Sequence, residues 1–192
     1  LGFSFFFEIL LAHSQDTSQV YQLNDSSWNF VNKGRYDEAI SIANKALEIS
    51  RAGKFKRGEA GSFAMLAVIG QYQGDFNLSI HYNSLAASIF SEIGDKKGLA
   101  GALGNLAIIY GYLGYYSKAI ESHLKSLRLK EEMISVQKNV PDSSLFLNLK
   151  ASIANTWNNL ALIYSAQKDF DKSSIYFQKA LDAYLGTGNK KG

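Results

Sequence analysis

The stretch YLGYYSKAI, from Tyr112 to Ile120, has three related copies elsewhere in the chain. They are NKGRYDEAI, YQGDFNLSI and AQKDFDKSS, which begin at Asn32, Tyr72 and Ala166. When the four copies are aligned, one column contains Gly34, Gly74, Gly114 and Lys168. Its first three members are 40 residues apart, and the last interval is longer by 14 residues. A fixed period of this length predicts a protein built from structural repeats.

Each copy joins two segments that have the apolar spacing of an amphipathic helix. In the third repeat, Leu103, Leu106 and Tyr110 recur three or four residues apart before Gly114, and a second such set follows. The glycine permits a tight turn between the two segments. The chain contains a single proline, Pro141, and proline inside a helix removes a hydrogen-bond donor. An all-α fold of helix-turn-helix units is therefore predicted.

Three further columns of the alignment contain only alanine and serine. They are Ser27, Ala67, Ala107 and Ala161; Ala39, Ser79, Ala119 and Ser173; and Ala46, Ala86, Ser126 and Ala180. Two helices can approach closely only where the side chains between them are small. These twelve residues are therefore predicted to be buried where helices pack against each other.

The repeat unit resembles the tetratricopeptide repeat, which has the pattern W-x2-L-G/A-x2-Y in its first helix and A-x3-F-x2-A in its second. WNNLALIY, Trp157 to Tyr164, matches the first pattern, and Ser173 and Phe177 match the second. The first two repeats are looser, with Ser26 and Gly70 at the usual Leu and Tyr positions. The 40-residue period is similar to that of kinesin light chain, G-protein signalling modulators and sensor regions of bacterial signalling proteins. The resemblance implies a right-handed α-solenoid that binds a protein or peptide.

The alignment divides the chain into segments. They are 1–14 as a signal peptide; 20–53, 60–93, 100–133 and 154–187 as four repeats; 134–153 as an insertion with an extended helical hairpin; and 188–192 as the start of a further repeat. The last segment, GNKKG, nearly repeats GDKKG at 94–98. The chain is therefore expected to be a fragment of a longer array. The insertion is either a surface extension or a partner contact through Leu145, Phe146 and Leu149.

The first residues, LGFSFFFEILLAHSQ, are almost wholly apolar up to Ala12. This run is too short to span a bilayer but fits a secretory signal, and Ala12-His13-Ser14 has the small-x-small form of a cleavage site. Glu8 interrupts the run and a basic leader is missing, so a truncated membrane helix or a buried N-terminal helix remains an alternative. Export to the periplasmic or extracytoplasmic face is the first expectation, and a cytoplasmic location is the alternative.

Charge and residue types argue against several classes of function. The formal charge of +3 comes from 20 basic and 17 acidic residues that are mixed along the chain, whereas a nucleic-acid surface gathers basic residues on one face. The chain has no cysteine, and His81 and His123 stand in different columns, which suggests surface or boundary positions. No catalytic or metal-ligand spacing is recognisable. We therefore expect no enzyme activity, metal, cofactor, nucleic-acid partner or direct small-molecule substrate.

The face of each first helix that the core does not use is the candidate binding surface. By register, the resemblance places its concave groove at Trp28, Asn32, Val68, Gln71, Tyr72, Ile108, Tyr112, Asn155, Asn158 and Leu162. These residues carry no charge, so the Lys and Arg clamp that grips a carboxylate in chaperone-binding repeats is missing. Apolar and amide side chains suit an extended or helical peptide. The alternative is that the partner binds elsewhere on the surface.

The resemblance and the apolar N-terminus together imply a role in signalling. The expected protein is the extracytoplasmic input region of a larger bacterial signalling protein, attached to the membrane through downstream sequence. The alternative is a soluble or secreted adaptor for complex assembly that has no output domain. Both readings predict a non-catalytic scaffold for protein interactions.

Overall fold

The computed structural model describes the backbone of residues 2–136 and 144–186 and the side chains of residues 17–136 and 144–185. In this part of the chain there are eight helices and no strand. They are α1 (Gly2–Val31), α2 (Tyr36–Ala52), α3 (Lys56–Gln73), α4 (Phe76–Glu92), α5 (Lys96–Tyr112), α6 (Tyr116–Val136), α7 (Ser144–Ala166) and α8 (Phe170–Gly186). The predicted fold class, an all-α solenoid of helix-turn-helix repeats, is confirmed.

Three sequence predictions fall outside the described residues. They concern the side chains of the signal-like segment 1–14, the middle of the insertion at 137–143, and the further repeat at 188–192. Among the helices that are described, none is long and apolar enough to cross a membrane.

The helices form two compact units, Leu1–Gly98 and Leu99–Gly192. In the first unit α1 packs against α2, α3 packs against α4, and α3 also contacts both α1 and α2. In the second unit α7 packs against both α6 and α8. The first helices of neighbouring repeats, α1 and α3, therefore lie side by side and present a shared face.

The turn inside each repeat has the same backbone conformation. Its aligned residues Gly34, Gly74, Gly114 and Lys168 all have positive φ, between 62° and 79°. In the fourth repeat the Lys168 amide donates to the carbonyl of Ser165 at 2.9 Å, and the Asp169 amide donates to that of Tyr164 at 2.9 Å. This pair of bonds is a Schellman motif, which satisfies the last carbonyls of the first helix. Lys168 adopts a left-handed conformation that glycine accepts without steric cost.

The twelve aligned alanine and serine residues are all buried, and the most exposed of them, Ser173, is 5% accessible. The prediction of close helix packing at these columns is confirmed. The Ser27 hydroxyl donates to the Ala39 carbonyl at 2.8 Å, and the Ser173 hydroxyl donates to the Ala161 carbonyl at 3.0 Å. Both bonds connect the first of these columns with the second. The serine lies on the first helix of the repeat in one case and on the second helix in the other. At these two positions serine fits where alanine does, because the facing helix accepts a hydrogen bond from its hydroxyl. The buried Ser79 hydroxyl has no such partner among the described residues.

The looser match of the second repeat has a steric reason. A Cβ atom added at Gly70 would lie 3.2 Å from the Asp75 carbonyl oxygen and 3.3 Å from the Ser79 amide nitrogen. A side chain at this position would require the start of α4 to shift by a few tenths of an ångström, so glycine permits this close approach of the backbones.

The helices on either side of the insertion are longer than their neighbours. Helices α6 and α7 contain 21 and 23 residues, whereas α5 and α8 contain 17 each. Leu145 is exposed, but Leu149 is 7% accessible and belongs to the core of the second unit. The suggestion that Leu149 contacts a partner is therefore wrong.

Candidate functional site

The candidate face of the first unit is formed by α1 and α3. The exposed side chains of Trp28 and Tyr72 meet there edge to face, with ring centroids 5.9 Å apart. Asn32 is exposed, and Val68 and Gln71 are half-buried. The structure thus brings together two aromatic residues that are 44 positions apart in the sequence.

The second unit contains a cavity of about 240 Å³ between α5, α6 and α7. It is lined by Ala107, Ile108, Gly111, Tyr112, Tyr116, His123, Asn159, Leu162, Ile163 and Ala166. Three of the predicted groove residues, Ile108, Tyr112 and Leu162, are in this set. Tyr112 and Leu162 are largely exposed and lie at the mouth, whereas Ala107 and His123 are buried and form the floor.

The predicted amide residues of the fourth repeat lie elsewhere. The carboxamide oxygen of the exposed Asn155 accepts a hydrogen bond from the Tyr184 hydroxyl. Asn158 is half-buried, and neither Asn155 nor Asn158 lines the cavity. The amide that does line it is the neighbouring Asn159. One step along a helix turns the side chain by about 100°, because the helix has 3.6 residues per turn.

His123 is the main departure from the sequence analysis. The expectation of a surface or boundary position is wrong, because His123 is only 2% accessible, whereas His81 is exposed as expected. Neither ring nitrogen of His123 has a hydrogen-bond partner among the described residues. Burial, with a smaller contribution from the charge of Lys130, lowers the pKa of His123 from 6.5 to about 4. The imidazole is therefore neutral at pH 7.

The repeat alignment explains why this histidine is buried. His123 stands in a column with Ala43, Asn83 and Phe177, at the phenylalanine position of the pattern A-x3-F-x2-A. Asn83 is also buried, and neither atom of its carboxamide has a hydrogen-bond partner among the described residues. Polar side chains in an otherwise apolar column are the sequence signal that would have identified His123.

Lys130 lies further along α6 and ties this helix to α7. Its ammonium donates to the Thr156 hydroxyl at 2.8 Å and to the Ser152 carbonyl at 3.4 Å. Burial lowers the pKa of Lys130 to about 8. These contacts are structural and lie outside the cavity lining.

The lining of the cavity is apolar and neutral. Its walls are apolar, its polar groups are phenol, amide and imidazole, and none of its lining residues is Asp, Glu, Lys or Arg. Within the described residues, no group of three or more His, Cys, Asp or Glu side chains is placed to hold a metal ion. The arrangement offers apolar contact and neutral hydrogen bonds to a ligand.

Comparison with family models assigns the repeats. One model described as a tetratricopeptide repeat matches residues 25–52 and 154–187, and a second one matches residues 102–133. The chain belongs to the tetratricopeptide-repeat family. Tetratricopeptide repeats generally mediate interactions between proteins. No curated protein matches the chain.

Solved structures of other tetratricopeptide-repeat proteins have the same fold. MamA has 17% identity and a TM-score of 0.62, over 94% of this chain and 86% of MamA. A Rap protein complexed with competence and sporulation factor has 17% identity and a TM-score of 0.56, over 90% of this chain and 54% of its own. Kinesin light chain-like repeats from Podosopora anserina have 12% identity and a TM-score of 0.52, over 90% of this chain and 98% of their own. The chain spans about half the length of the Rap protein.

Proposed function

We propose that this tetratricopeptide-repeat chain is a non-catalytic scaffold that binds a peptide or protein partner on the first-helix faces of its units. The observation that carries the proposal is the cavity of the second unit, where Ile108 and Tyr112 of α5 meet Leu162 of α7. A ligand that enters the cavity contacts side chains from two repeats at once. Binding therefore depends on the folded repeat pair.

The lining of the cavity supports recognition through apolar contact. Tyr112 is 71% accessible and Leu162 is 53% accessible, so both have apolar area that a partner can remove from water. Complete burial of one such side chain contributes about 1.5–3 kcal/mol. The Rap protein complexed with competence and sporulation factor, which has the same fold, also supports a function in partner binding.

Peptides selected from a displayed random library on the full chain test this function. The variant Leu162→Asp places a charge at the mouth of the cavity, and we expect it to weaken the selected peptides at least tenfold, or about 1.4 kcal/mol. Ile175→Asp is the matched control, because Ile175 on α8 is 54% accessible and outside the cavity lining. Equal affinities of the two variants, measured by isothermal titration calorimetry, would exclude the cavity as the site.

We further propose that this scaffold is the extracytoplasmic input region of a bacterial signalling protein. The support is the apolar run at 1–12 followed by a small-x-small triplet. Fusion of residues 1–30 to alkaline phosphatase, which is active only after export, tests this placement. Activity that is lost when Phe5 and Phe6 are replaced by Asp supports export. An inactive fusion that accumulates in the cytoplasm favours the alternative, an adaptor for complex assembly.

A further inference from the structure

Two edge-to-face aromatic pairs stand on the candidate face of the first unit. Tyr21 of α1 meets Phe55, the residue before α3, with ring centroids 5.7 Å apart and an interplanar angle of 82°. Trp28 of α1 meets Tyr72 near the end of α3, with centroids 5.9 Å apart and an angle of 77°. Tyr21, Trp28 and Tyr72 are exposed. Each exposed ring is thus held by a neighbour, which lowers the entropy that a ligand must remove on binding.

The spacing of the two rings on α1 fits a particular peptide conformation. Tyr21 and Trp28 are seven residues apart, or nearly two helical turns, so they lie on the same face at an axial separation of about 10.5 Å. A polyproline II helix rises about 3.1 Å per residue, so the two prolines of a P-x-x-P pattern are about 9.3 Å apart on one side of that helix. Aromatic-lined grooves are a recurring means of binding such segments.

We propose that the α1 and α3 face of the first unit binds a proline-rich segment in the polyproline II conformation, with Tyr21 and Trp28 each contacting one proline of a P-x-x-P motif. The inference rests on the proposed partner-binding function and names the class of partner. The 192 residues contain a single proline, Pro141, so they cannot supply this motif to a second copy. The partner is therefore a different protein segment.

The surface between the two rings leaves room for a ligand backbone. Gly61 of α3 stands one repeat after Tyr21 in the alignment. A Cβ added at Gly61 would meet only the side-chain nitrogen of Asn24, at 3.7 Å. The next residue along this face, Ala64, is also small. An extended peptide can therefore approach the floor between α1 and α3 closely.

The face also offers hydrogen-bond donors to the peptide. A polyproline II helix has no internal hydrogen bonds, so its carbonyl groups need outside donors. The side chains of the exposed Trp28 and Asn32 form no hydrogen bond with other described residues. The indole N–H of Trp28 is therefore available to a carbonyl next to a bound proline.

Asp25 gives the motif a preferred charge. It follows Tyr21 by four residues and precedes Trp28 by three, so it lies beside both rings on the helix surface. Its side chain is exposed and has no ion-pair partner among the described residues. An arginine or lysine between the two prolines would complement this carboxylate. The face therefore favours a basic P-x-x-P segment over an acidic one.

Three octapeptides with capped ends test the inference. AAPARPAA has the proposed motif, AAPARAPA has the same composition with its prolines one residue further apart, and AAPAEPAA carries the opposite charge. Binding to the full chain is followed by Trp28 fluorescence in a Trp157→Phe background. We expect AAPARPAA to bind at least tenfold more tightly than AAPARAPA and about two- to fivefold more tightly than AAPAEPAA. Equal affinities for the two spacings, or no binding of AAPARPAA at about 1 mM, would overturn the inference.

Substitutions in the chain separate the rings from the charge, with affinities measured by isothermal titration calorimetry. Tyr21→Ala and Trp28→Ala should each weaken AAPARPAA at least tenfold. Asp25→Asn should remove the preference for AAPARPAA over AAPAEPAA. Tyr115→Ala is the matched control, because Tyr115 is 55% accessible and belongs to the second unit, and it should retain the affinity. If Trp28→Ala fails to fold by circular dichroism, Tyr21→Ala decides, and an unchanged affinity there would contradict the ring sites.

An oligosaccharide is the other ligand that exposed aromatic rings suit, and the same assay distinguishes it. A change in Trp28 fluorescence with chitohexaose but not with AAPARPAA would show that the face binds a glycan, and the inference would fail.

The outcomes for the general function and for proline recognition can be told apart. If library-selected peptides depend on Leu162 but AAPARPAA does not bind, partner binding stands and the proline-rich site fails. If AAPARPAA binds through Tyr21 and Trp28 but no selected peptide depends on Leu162, the site on the first unit stands and the cavity of the second unit fails as a binding site.

Discussion

Acid should destabilise the second unit through His123. The pKa of His123 is about 4 in the folded chain and 6.5 when the side chain is not buried. Between pH 4 and pH 6.5 the unfolded chain therefore binds more protons than the folded chain. The free energy of unfolding therefore falls as the pH drops below 6.5, and the loss is nearly complete at pH 4. Above pH 6.5 the residue is neutral in both states and contributes no pH dependence.

The size of the effect follows from the two pKa values. Their difference corresponds to a loss of about 2 kcal/mol at pH 5 and about 3 kcal/mol at pH 4. The variant His123→Phe has no titrating group at this position and should be free of this loss. It should also be about 1–3 kcal/mol more stable at pH 7.5, because two buried nitrogens without partners are removed. The gap between variant and parent should then widen by about 2 kcal/mol from pH 7.5 to pH 5.

The two tryptophans of the chain allow each unit to be followed separately. Trp28 lies in the first unit and Trp157 in the second. Urea unfolding monitored by Trp157 fluorescence, in a Trp28→Phe background, measures the second unit. With a denaturant dependence of about 1–3 kcal/mol per molar urea, the widening corresponds to a midpoint shift on the order of 1 M. Trp28 fluorescence in a Trp157→Phe background follows the first unit, and the midpoint shift caused by His123→Phe should be no larger there than in the second unit.

Carboxyl groups also titrate toward pH 4, but the parent chain and His123→Phe contain the same ones. Their contribution therefore cancels when the unfolding free energies of the two proteins are subtracted. Lys130, whose pKa is about 8, is mostly protonated up to pH 7.5 and is also present in both proteins. Parallel curves of unfolding free energy against pH for parent and His123→Phe would refute the reasoning, because they would show that His123 is not a buried neutral group.

Other substitutions test the packing and the turns. Gly98→Ala should lower the thermal midpoint, because its Cβ would overlap the Phe90 ring. Gly101→Ala should raise the thermal midpoint and add about 1 kcal/mol to the free energy of unfolding, since its Cβ would meet no neighbour within 4 Å. A rise in the thermal midpoint of both variants would contradict this. Lys168→Gly, at a φ of 62°, should stabilise the chain by about 1 kcal/mol in urea unfolding, and a loss of stability would be evidence against the left-handed turn. Lys130→Met should stabilise the chain at pH 7, because burial penalises its charge. That gain should shrink as the pH rises from 8 toward 10.5, and a gain independent of pH would contradict the lowered pKa.

The fold was predictable because its constraints act on one residue at a time and recur with a fixed period. Positive φ selects glycine at the turn, so Gly34, Gly74 and Gly114 mark the turns directly. Close approach of two helix backbones selects alanine or serine, and this choice recurs in three columns. Such requirements leave a periodic record in a single sequence.

The lining of the candidate cavity was only partly predictable, because a cavity depends on the combined volumes of side chains from three helices. Register alone placed Ile108, Tyr112 and Leu162 on one face, and all three line this cavity. His123 was missed, since an isolated histidine in a helical segment is usually a surface or boundary residue. Asn159 lines the cavity and Asn158 does not, a difference of one residue along α7 that register does not resolve.

The column of His123 also varies without a change in the fold. The columns of small residues lie where helix backbones meet, so a larger side chain there would push the helices apart. The column that contains Ala43, Asn83, His123 and Phe177 instead accepts four side chains of very different size and polarity. In the third repeat, the residue at this position is His123, which lines a cavity. A side chain of another size there should change the depth of this cavity, whereas the alanine and serine contacts that hold the helices in place are not involved.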